Sequence, residues 1–258
     1  MTASSRSLRF PGHSGAKLAA KLDLPAGEPA AYALLAHCFT CSKDLPAIRR
    51  IAAGLARQGI AVLRFDFTGL GASEGDFSAT DFSGNVADIG AAADFLRTHH
   101  RAPALLVGHS LGGAAMLAAA GSIPEARAVA TIGAPADTAS VLDNFGTRLA
   151  TIEREGEAEV MLAGRPFVIR RQFVEDIRAQ ALATRVAELD KALLIMHSPR
   201  DEVVDVQEAA ALFGTAKHPR SFVSLDTADH LLSDPADAEY AADVISAWAS
   251  RYLAPDAG

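Results

Sequence analysis

Short apolar runs recur along the chain, and they constrain its fold more than any other feature of the sequence. The clearest runs, each about five residues long, are residues 32–36, 60–65, 104–108, 128–132 and 192–196. Apolar runs of this length without polar alternation are typical of strands buried on both faces. The segments between them have helical periodicity, and one apolar stripe comprises Val86, Ile89, Ala93 and Leu96. Because parallel strands need crossovers that cover the sheet, this alternation predicts an α/β fold with a mostly parallel central sheet flanked by helices.

The alternation of strands and helices lapses between residues 135 and 186. This interval is charged, and its apolar residues alternate around Gly164, which indicates a β-hairpin. We interpret it as a small cap insertion over the carboxyl edge of the sheet, where ligands bind in open α/β sheets. The core then comprises residues 1–134 and 187–258, and a helix that starts at Pro235 closes it near Leu253.

The composition of the whole chain excludes several classes of function. The net charge of −7 gives no basic surface of the kind that binds nucleic acid. The N-terminus lacks the apolar core of a secretory signal, and no run of about 18 residues is apolar enough to cross a membrane. The two cysteines, Cys38 and Cys41, do not form the framework of a small secreted domain. We therefore expect a cytoplasmic protein that binds neither nucleic acid nor membranes.

Residues 108–112 match the pattern G-x-S-x-G, and the pattern lies between a predicted strand and the helix-forming segment 114–120. A serine on so sharp a turn projects its hydroxyl above the sheet. Gly108 and Gly112 remove the Cβ atoms that would crowd the backbone there. This context is typical of the nucleophile elbow of an α/β-hydrolase, and it predicts that Ser110 is the nucleophile.

A serine hydroxyl needs a base to take its proton, and a histidine held by a carboxylate supplies it. Three histidines follow the nucleophile: His197, His218 and His230. His197 lies at the end of a predicted strand and His218 in a polar turn, so we predict a structural and a solvated role for them. His230 lies in a loop between the predicted strand 221–225 and the final helix, from which it can reach the top of the sheet. We predict that it is the general base.

The acid of the triad lies between the serine and the histidine in the sequence of this fold. Asp201 follows the predicted strand 192–196 in a turn, and we predict that it orients His230. Asp205 suits the N-cap of the next helix. Asp226 and Asp229 are too close to His230 in sequence to approach its ring from the far side.

The tetrahedral intermediate of acyl transfer needs two backbone N–H donors for its oxyanion. One is the amide after the nucleophile, here that of Leu111. The other should come from the loop that follows strand 32–36 and begins His37-Cys38-Phe39-Thr40. We nominate the amide of Phe39, and we call residues 37–41 the oxyanion loop.

These motifs make the chain resemble the hydrolase half of bacterial bifunctional α/β-hydrolase/OsmC-type proteins. More distantly, it resembles serine aminopeptidase-like and monoacylglycerol-lipase-like hydrolases. The resemblance spans essentially the whole chain, and its landmarks are residues 36–44, 65–75, 108–113 and 229–230. Many members of these families carry His-Gly where this chain has His37-Cys38.

The resemblance implies cleavage of a small-molecule carboxylic ester through an acyl-enzyme intermediate, with no cofactor and no metal ion. It also implies fusion to, or association with, an OsmC-type domain. No such domain follows Gly258, so we expect either a stand-alone hydrolase or one half of a bifunctional protein. The oligomeric state is left open.

Two other functions remain as alternatives. Amide or peptide hydrolysis, as in an aminopeptidase, uses the same acyl-transfer groups, and a hydrolase fold can also serve as a catalytically silent binding protein. We expect short to medium acyl chains, since the cap is too short to build a deep lipid tunnel. Candidate residues of the substrate pocket are Phe145, Met161 and Phe167.

Two charged or glycine-rich features invite a binding function. The spacing G-x-G-x-x-x-G departs from a dinucleotide fingerprint, and we predict that its glycines form a turn beside the active site: Gly69, Gly71 and Gly75. The cap also contains three arginines whose charge would suit an anionic substrate: Arg165, Arg170 and Arg171. We predict instead that these side chains lie on the solvent-exposed face of the hairpin.

Cys38 and Cys41 have C-x-x-C spacing but lack the context of a thioredoxin motif. We interpret them as two small residues that shape the oxyanion loop, so oxidation or reduction should barely change activity. A regulatory disulfide and a metal site are the alternatives, although two thiols are too few ligands for a metal ion.

Overall fold

A central sheet forms the frame of the protein. The computed structural model describes residues 4–162 and 164–253. Its strands are β1 Ser4–Pro11, β2 Lys17–Leu24, β3 Ala31–Ala36, β4 Ile60–Phe65, β5 Leu105–His109, β6 Ala128–Ile132, β7 Glu157–Leu162, β8 Arg165–Arg170, β9 Ala192–His197 and β10 Arg220–Ser224. Within the described residues, eight of these strands form one sheet in the order β1-β2-β4-β3-β5-β6-β9-β10.

The middle of this sheet is parallel and fully buried. Strands β3, β4, β5, β6 and β9 pair in parallel, and every residue in them is buried. They coincide with the five apolar runs, with ends that differ by at most one residue. The predicted α/β fold with a mostly parallel sheet is therefore confirmed.

Strands β1 and β2 are not among the predicted strands, and they pair antiparallel at one edge of the sheet. Most residues of β1 are exposed, so this strand has no buried face that would give it an apolar pattern. Its pairing with β2 is made by backbone hydrogen bonds, which are the same for any side chain.

Helices cover both faces of the sheet. They are α1 Pro46–Arg57, α2 Phe82–His99, α3 Leu111–Ala120, α4 Arg148–Glu155, α5 Arg171–Arg178, α6 Leu182–Glu188, α7 Val206–Thr215 and α8 Pro235–Leu253. Because side chains alternate along a strand, Leu34 packs into a core with α2 and α3, while Leu35 packs into a second core with α1 and α8. None of the helices in the described residues combines the length and the apolar character that a membrane span requires.

The segment between β6 and β9 contains the predicted hairpin. A 3₁₀ helix, Thr138–Phe145, comes first, and α4, the β7–β8 hairpin, α5 and α6 follow. The hairpin turns at Gly164, whose φ of +74° favours glycine. Helix α6 packs beside α3 and α7, like a helix of the core, and the predicted boundary of the cap at residue 186 lies inside it.

Candidate active site

Ser110 lies on the tight turn that joins β5 to α3. Its φ of +55° is in the left-handed region, which a residue with a Cβ atom adopts only where its surroundings hold it. Gly108 and Gly112 permit this turn. A Cβ atom at Gly108 would lie 2.5 Å from the carbonyl oxygen of Gly112, and one at Gly112 would lie 2.2 Å from that of His37. The turn places the Ser110 hydroxyl at the carboxyl edge of the sheet.

Hydrogen bonds link Ser110 to His230 and Asp201. His230 Nε2 lies 3.0 Å from Ser110 Oγ, and His230 Nδ1 lies 2.7 Å from Asp201 Oδ2. Asp201 follows β9 and His230 follows β10, so neighbouring parallel strands deliver the two side chains to the same edge of the sheet. The structure thus brings together the three residues that the sequence predicts as a triad.

The hydrogen bonds of Asp201 determine which nitrogen of His230 carries the proton. Burial alone would raise the pKa of Asp201, but hydrogen bonds from His230 and from the amides of Val204 and Val203 outweigh it, so the pKa is lowered. Those two amides donate to Oδ1, each at 2.9 Å, and leave Oδ2 for His230. An ionised Asp201 keeps the proton of neutral His230 on Nδ1, and Nε2 is then free to accept the Ser110 proton.

The other candidate acids and bases lie away from the Ser110 hydroxyl. His197 is buried, and its Nε2 lies 2.8 Å from the carbonyl oxygen of Val204, so it braces the loop that carries Asp201. His218 is exposed. Asp205 caps α7 by accepting a backbone N–H of the first turn at 2.8 Å.

His109, for which the sequence predicts no role, contacts the loop that carries His230. Its Nε2 lies 2.6 Å from the backbone carbonyl oxygen of His230, and the two rings are 5.0 Å apart. Burial, followed by the neighbouring His230, lowers the pKa of His109 to about 3, so the ring is neutral near pH 7. A neutral ring that donates from Nε2 leaves Nδ1 unprotonated, and Nδ1 is buried without a partner among the described residues. His109 therefore positions the backbone of His230, and its place beside Ser110 is the one sequence signal of that role.

Phe39 and Leu111, the predicted oxyanion donors, line one cavity together with Ser110. Leu111 is the first residue of α3, and Phe39 lies in the oxyanion loop after β3. Within the described part of the chain, neither backbone amide donates to another protein group. Two free N–H groups beside a nucleophile are what an oxyanion hole requires.

Cys38 and Cys41 form a disulfide, so the prediction of two unlinked small residues is wrong. The loop turns tightly enough for the Cys41 amide to donate to the Cys38 carbonyl at 3.1 Å. Their Cα atoms are 5.3 Å apart, within the range that a disulfide needs. C-x-x-C spacing alone does not reveal such a turn. The bond closes a ring of residues around Phe39 and Thr40, on the wall of the cavity.

A buried cluster of charges anchors the residues that follow the oxyanion loop. Lys43 donates to Asp66 from its amide at 2.6 Å and from Nζ at 2.8 Å. Burial would lower the pKa of Lys43, but hydrogen bonds to Asp66 and Asp44 raise it overall, so the amine stays charged. Arg64 donates to the Lys43 carbonyl at 2.6 Å. Gly71 lies in the turn beside this cluster, and a Cβ atom there would be 2.3 Å from the Asp66 carboxylate.

The cavity above Ser110 has a volume of about 360 Å³ and mostly apolar walls. Its apolar side chains include Leu111, Pro135, Val141, Leu162, Val203 and Leu231. Its polar groups come from Thr40, Ser140 and Asn144 and from the Ser110 and His230 side chains. Such a site favours an uncharged ligand group, because burying a charge against apolar walls is costly.

Of the three predicted pocket residues, the structure places Met161 on the wall of this cavity. Phe145 is buried in the core against Phe173, and Phe167 packs against Phe77 at a ring distance of 5.0 Å. Among the described residues, the lining of this cavity includes neither Phe145 nor Phe167. Phe145 ends the 3₁₀ helix and Phe167 lies on β8, and the packing of these two elements against the rest of the protein decides which of their side chains meet the cavity.

The arginines of the cap differ in their contacts. Arg170 lies 3.2 Å from a carboxylate oxygen of Glu157, and Arg171 donates to a backbone carbonyl of α4 at 3.2 Å. Arg165 donates to the carbonyl oxygen of Thr40 in the oxyanion loop. Arg165 is thus not the freely solvated side chain that the sequence predicts.

Comparison with known proteins identifies relatives over most of the chain. Residues 28–152 match the Hydrolase_4 family model, serine aminopeptidase S33. A solved esterase domain of a Rhodothermus marinus protein is 48% identical, with a TM-score of 0.80, and the match covers 97% of this chain and 100% of that one.

Two curated proteins are more distant relatives. The mouse palmitoyl-protein thioesterase ABHD10, mitochondrial, is 26% identical over 191 residues, which cover 69% of this chain and 62% of that protein. The uncharacterized protein YfhR of Salmonella typhi is 25% identical over 206 residues, which cover 78% of this chain and 65% of that protein. The chain therefore spans less than two thirds of the length of either one.

Proposed function

Because the chain belongs to the α/β-hydrolase family, we propose that it is a serine hydrolase that cleaves carboxylic esters. The observation that carries the proposal is the chain of hydrogen bonds from Asp201 through His230 to Ser110, which ends at the apolar cavity. The 48% identity to a solved esterase domain supports ester cleavage as the reaction.

In the proposed reaction, His230 Nε2 takes the proton of Ser110 as Oγ attacks the carbonyl carbon of the ester. The electron pair of the carbonyl moves to its oxygen, and the amides of Phe39 and Leu111 donate to that oxyanion. His230 then returns the proton to the departing alcohol, which leaves an acyl group on Ser110. Water, activated by His230, attacks the acyl group in the same way and frees the acid. Asp201 stays ionised throughout and stabilises the imidazolium.

The size and the walls of the cavity define the acyl group that we propose. A volume of about 360 Å³ is near the lower end of small-molecule sites. Met161, Leu162 and Val141 offer contacts to hydrocarbon, whereas a long acyl chain would have to leave the cavity. We therefore propose uncharged acyl groups of short to medium length.

Hydrolysis of peptides from their amino end is the second candidate, since the matching family model describes a serine aminopeptidase. Such a substrate would carry an α-ammonium group close to the reacting carbonyl. The cavity walls are mostly apolar and no Asp or Glu is among the described lining residues, so an ammonium group buried against them would lack a counter-charge. This arrangement favours esters over aminoacyl substrates.

The test is a panel of p-nitrophenyl esters and aminoacyl p-nitroanilides assayed with the parent protein and with Ser110→Ala. We expect turnover of the esters with acetyl to hexanoyl groups. In Ser110→Ala it should fall by several orders of magnitude, about 10⁶-fold in the best-studied triads. A fluorophosphonate probe should label the parent on Ser110.

Ser140→Ala is the matched control, since Ser140 also lines the cavity but lies outside the hydrogen-bonded chain. It should keep its labelling and most of its activity. Ester turnover that survives Ser110→Ala would contradict the nucleophile, and faster nitroanilide cleavage would favour the peptidase. A folded parent without turnover or labelling would point to a silent binding protein.

A further inference from the structure

The cap contacts the oxyanion loop directly, at two of its residues. Arg165, at the start of β8, donates from Nη2 to the carbonyl oxygen of Thr40. Phe173 of α5 stacks on the ring of Phe39, with centroids 5.2 Å apart and an interplanar angle of 26°. The cap therefore touches the loop that carries a proposed oxyanion donor.

Two internal bonds tie the residues of the oxyanion loop to one another. The Cys38–Cys41 disulfide closes it, and within it the Thr40 hydroxyl donates to the Phe39 carbonyl at 2.6 Å. Thr40 has a φ of +62°, in the left-handed region that β-branched residues disfavour. A residue in that conformation needs contacts that hold it there. The bond from Arg165 to the Thr40 carbonyl is such a contact.

The guanidinium of Arg165 is itself held in place. It lies 5.2 Å from the centroid of the Phe167 ring, in reach of a cation–π contact. Phe167 in turn packs edge-on against Phe77, and Phe77 lies 5.7 Å from the ring of Phe39. The arginine and the aromatic rings beside it thus brace the oxyanion loop from the side of the cap.

We propose that Arg165 is a positioning residue for the oxyanion hole. By holding the Thr40 carbonyl, it sets the tilt of the closed loop and keeps the Phe39 amide directed at the cavity. Arg165 does not contact the reacting atoms, and the inference rests on the proposed ester hydrolysis. The cap then acts on the chemical step in addition to enclosing the acyl group.

The expected effect is on kcat, with little change in KM. A displacement of about 1 Å in a catalytic group costs on the order of 10²-fold in rate. The disulfide and Phe173 still hold the loop when Arg165 is removed, so we expect a loss of about 10-fold to 100-fold. An oxyanion donor acts mainly in the transition state, and a loss of that kind lowers kcat and kcat/KM equally.

The test compares Arg165→Ala and Arg165→Lys with the parent, using p-nitrophenyl acetate, whose acyl group is small. Arg154→Ala is the matched control, because Arg154 is an exposed arginine of α4 that pairs with its neighbour Glu155. A second readout is the inhibition constant of an alkyl trifluoromethyl ketone. Ser110 Oγ adds to its carbonyl carbon, His230 takes the proton, and the carbonyl oxygen becomes an oxyanion.

For Arg165→Ala we expect kcat to fall about 10-fold to 100-fold and the inhibition constant of the ketone to rise by a similar factor. KM should stay within about threefold of the parent value. Arg165→Lys should recover part of the loss, because it keeps a donor but not the planar fork. The thermal midpoint of both variants should remain within about 2 °C of the parent, as is usual for surface substitutions.

Any of three results would overturn this inference while leaving ester hydrolysis intact. They are a kcat within twofold of the parent in Arg165→Ala, a loss confined to KM, and an equal loss in Arg154→Ala. Absence of Ser110-dependent turnover in the parent would overturn the proposed function and the positioning role together.

Discussion

Replacement of Asp201 by asparagine tests the protonation state on which the proposed chemistry depends. In the native site, Oδ1 accepts from the amides of Val203 and Val204, and Oδ2 faces His230 Nδ1 at 2.7 Å. In Asp201→Asn the side-chain oxygen must stay with the two backbone donors, so its NH₂ group must face His230. Nδ1 then has to accept a hydrogen bond, and the proton moves to Nε2. His230 can no longer take the proton of Ser110.

We expect kcat/KM of Asp201→Asn for p-nitrophenyl butyrate to fall by about 10⁴-fold, as it does in the best-known triad. This factor corresponds to about 5.4 kcal/mol of transition-state stabilisation. The shape of the side chain is unchanged, so the fold should persist. Circular dichroism and titration of Ser110 with a fluorophosphonate measure the folded and reactive fractions.

Asp205→Asn is the matched control, because Asp205 lies on the same loop and caps α7 without contacting the triad. Asparagine is also a good N-cap, so activity should stay within about threefold of the parent. The reasoning would be refuted if Asp201→Asn kept more than a tenth of the parent kcat/KM, or if Asp205→Asn lost more activity than Asp201→Asn.

Three further predictions concern His109, the disulfide and the cavity wall. The pKa of His109 is about 3 in the folded protein and about 6.5 when exposed, so protonation favours the unfolded state below pH 6.5. As the pH is lowered from 6.5 to 3, the contribution of His109 to the free energy of unfolding should therefore fall by up to about 1.4 kcal/mol per pH unit. Urea unfolding should show a flatter pH dependence in His109→Phe, and an identical slope in parent and variant would refute this. Reduction of the Cys38–Cys41 disulfide, or Cys41→Ser, should lower kcat by up to about tenfold by loosening the loop around the Phe39 amide; an unchanged kcat would show that the turn suffices without the bond. Phe145→Ala should lower the free energy of unfolding by about 3 to 5 kcal/mol with little change in acyl preference. Met161→Ala should change the acyl preference with little change in the free energy of unfolding. Ester panels measure the acyl preference, and urea midpoints measure the stability.

The sequence predicted the features whose physical cause is local. The apolar runs predicted β3, β4, β5, β6 and β9 because a strand buried on both faces cannot carry polar side chains without cost. The elbow around Ser110 was recognisable because its backbone needs glycine at Gly108 and Gly112, where any Cβ atom would meet another backbone. The order of strands and loops along the chain predicted that Asp201 and His230 lie at the same edge of the sheet as Ser110, where the structure joins the three side chains by hydrogen bonds.

The contacts that orient these groups depend on residues far apart in sequence. The bond from His109 to the His230 carbonyl spans 121 positions, and the bond from Arg165 to Thr40 spans 125. No local sequence pattern predicts such a pair, because the residues around each partner do not indicate which distant residue it will contact. The same holds for Asp66 and Lys43, which meet below the oxyanion loop across 23 positions.

What the sequence by itself determined is the α/β architecture, the sharp turn at Ser110 and the set of groups available for acyl transfer. Motif spacing, apolar pattern and the steric limits of glycine positions involve residues close together in the sequence, so the sequence alone predicts their effects. The tertiary structure alone decided that Cys38 and Cys41 meet in a tight turn, that Phe145 lies in the core while Met161 faces the cavity, and that the cap reaches the oxyanion loop. Each of these depends on the direction of a side chain after distant elements have packed, and that direction is set by close packing and hydrogen-bond geometry.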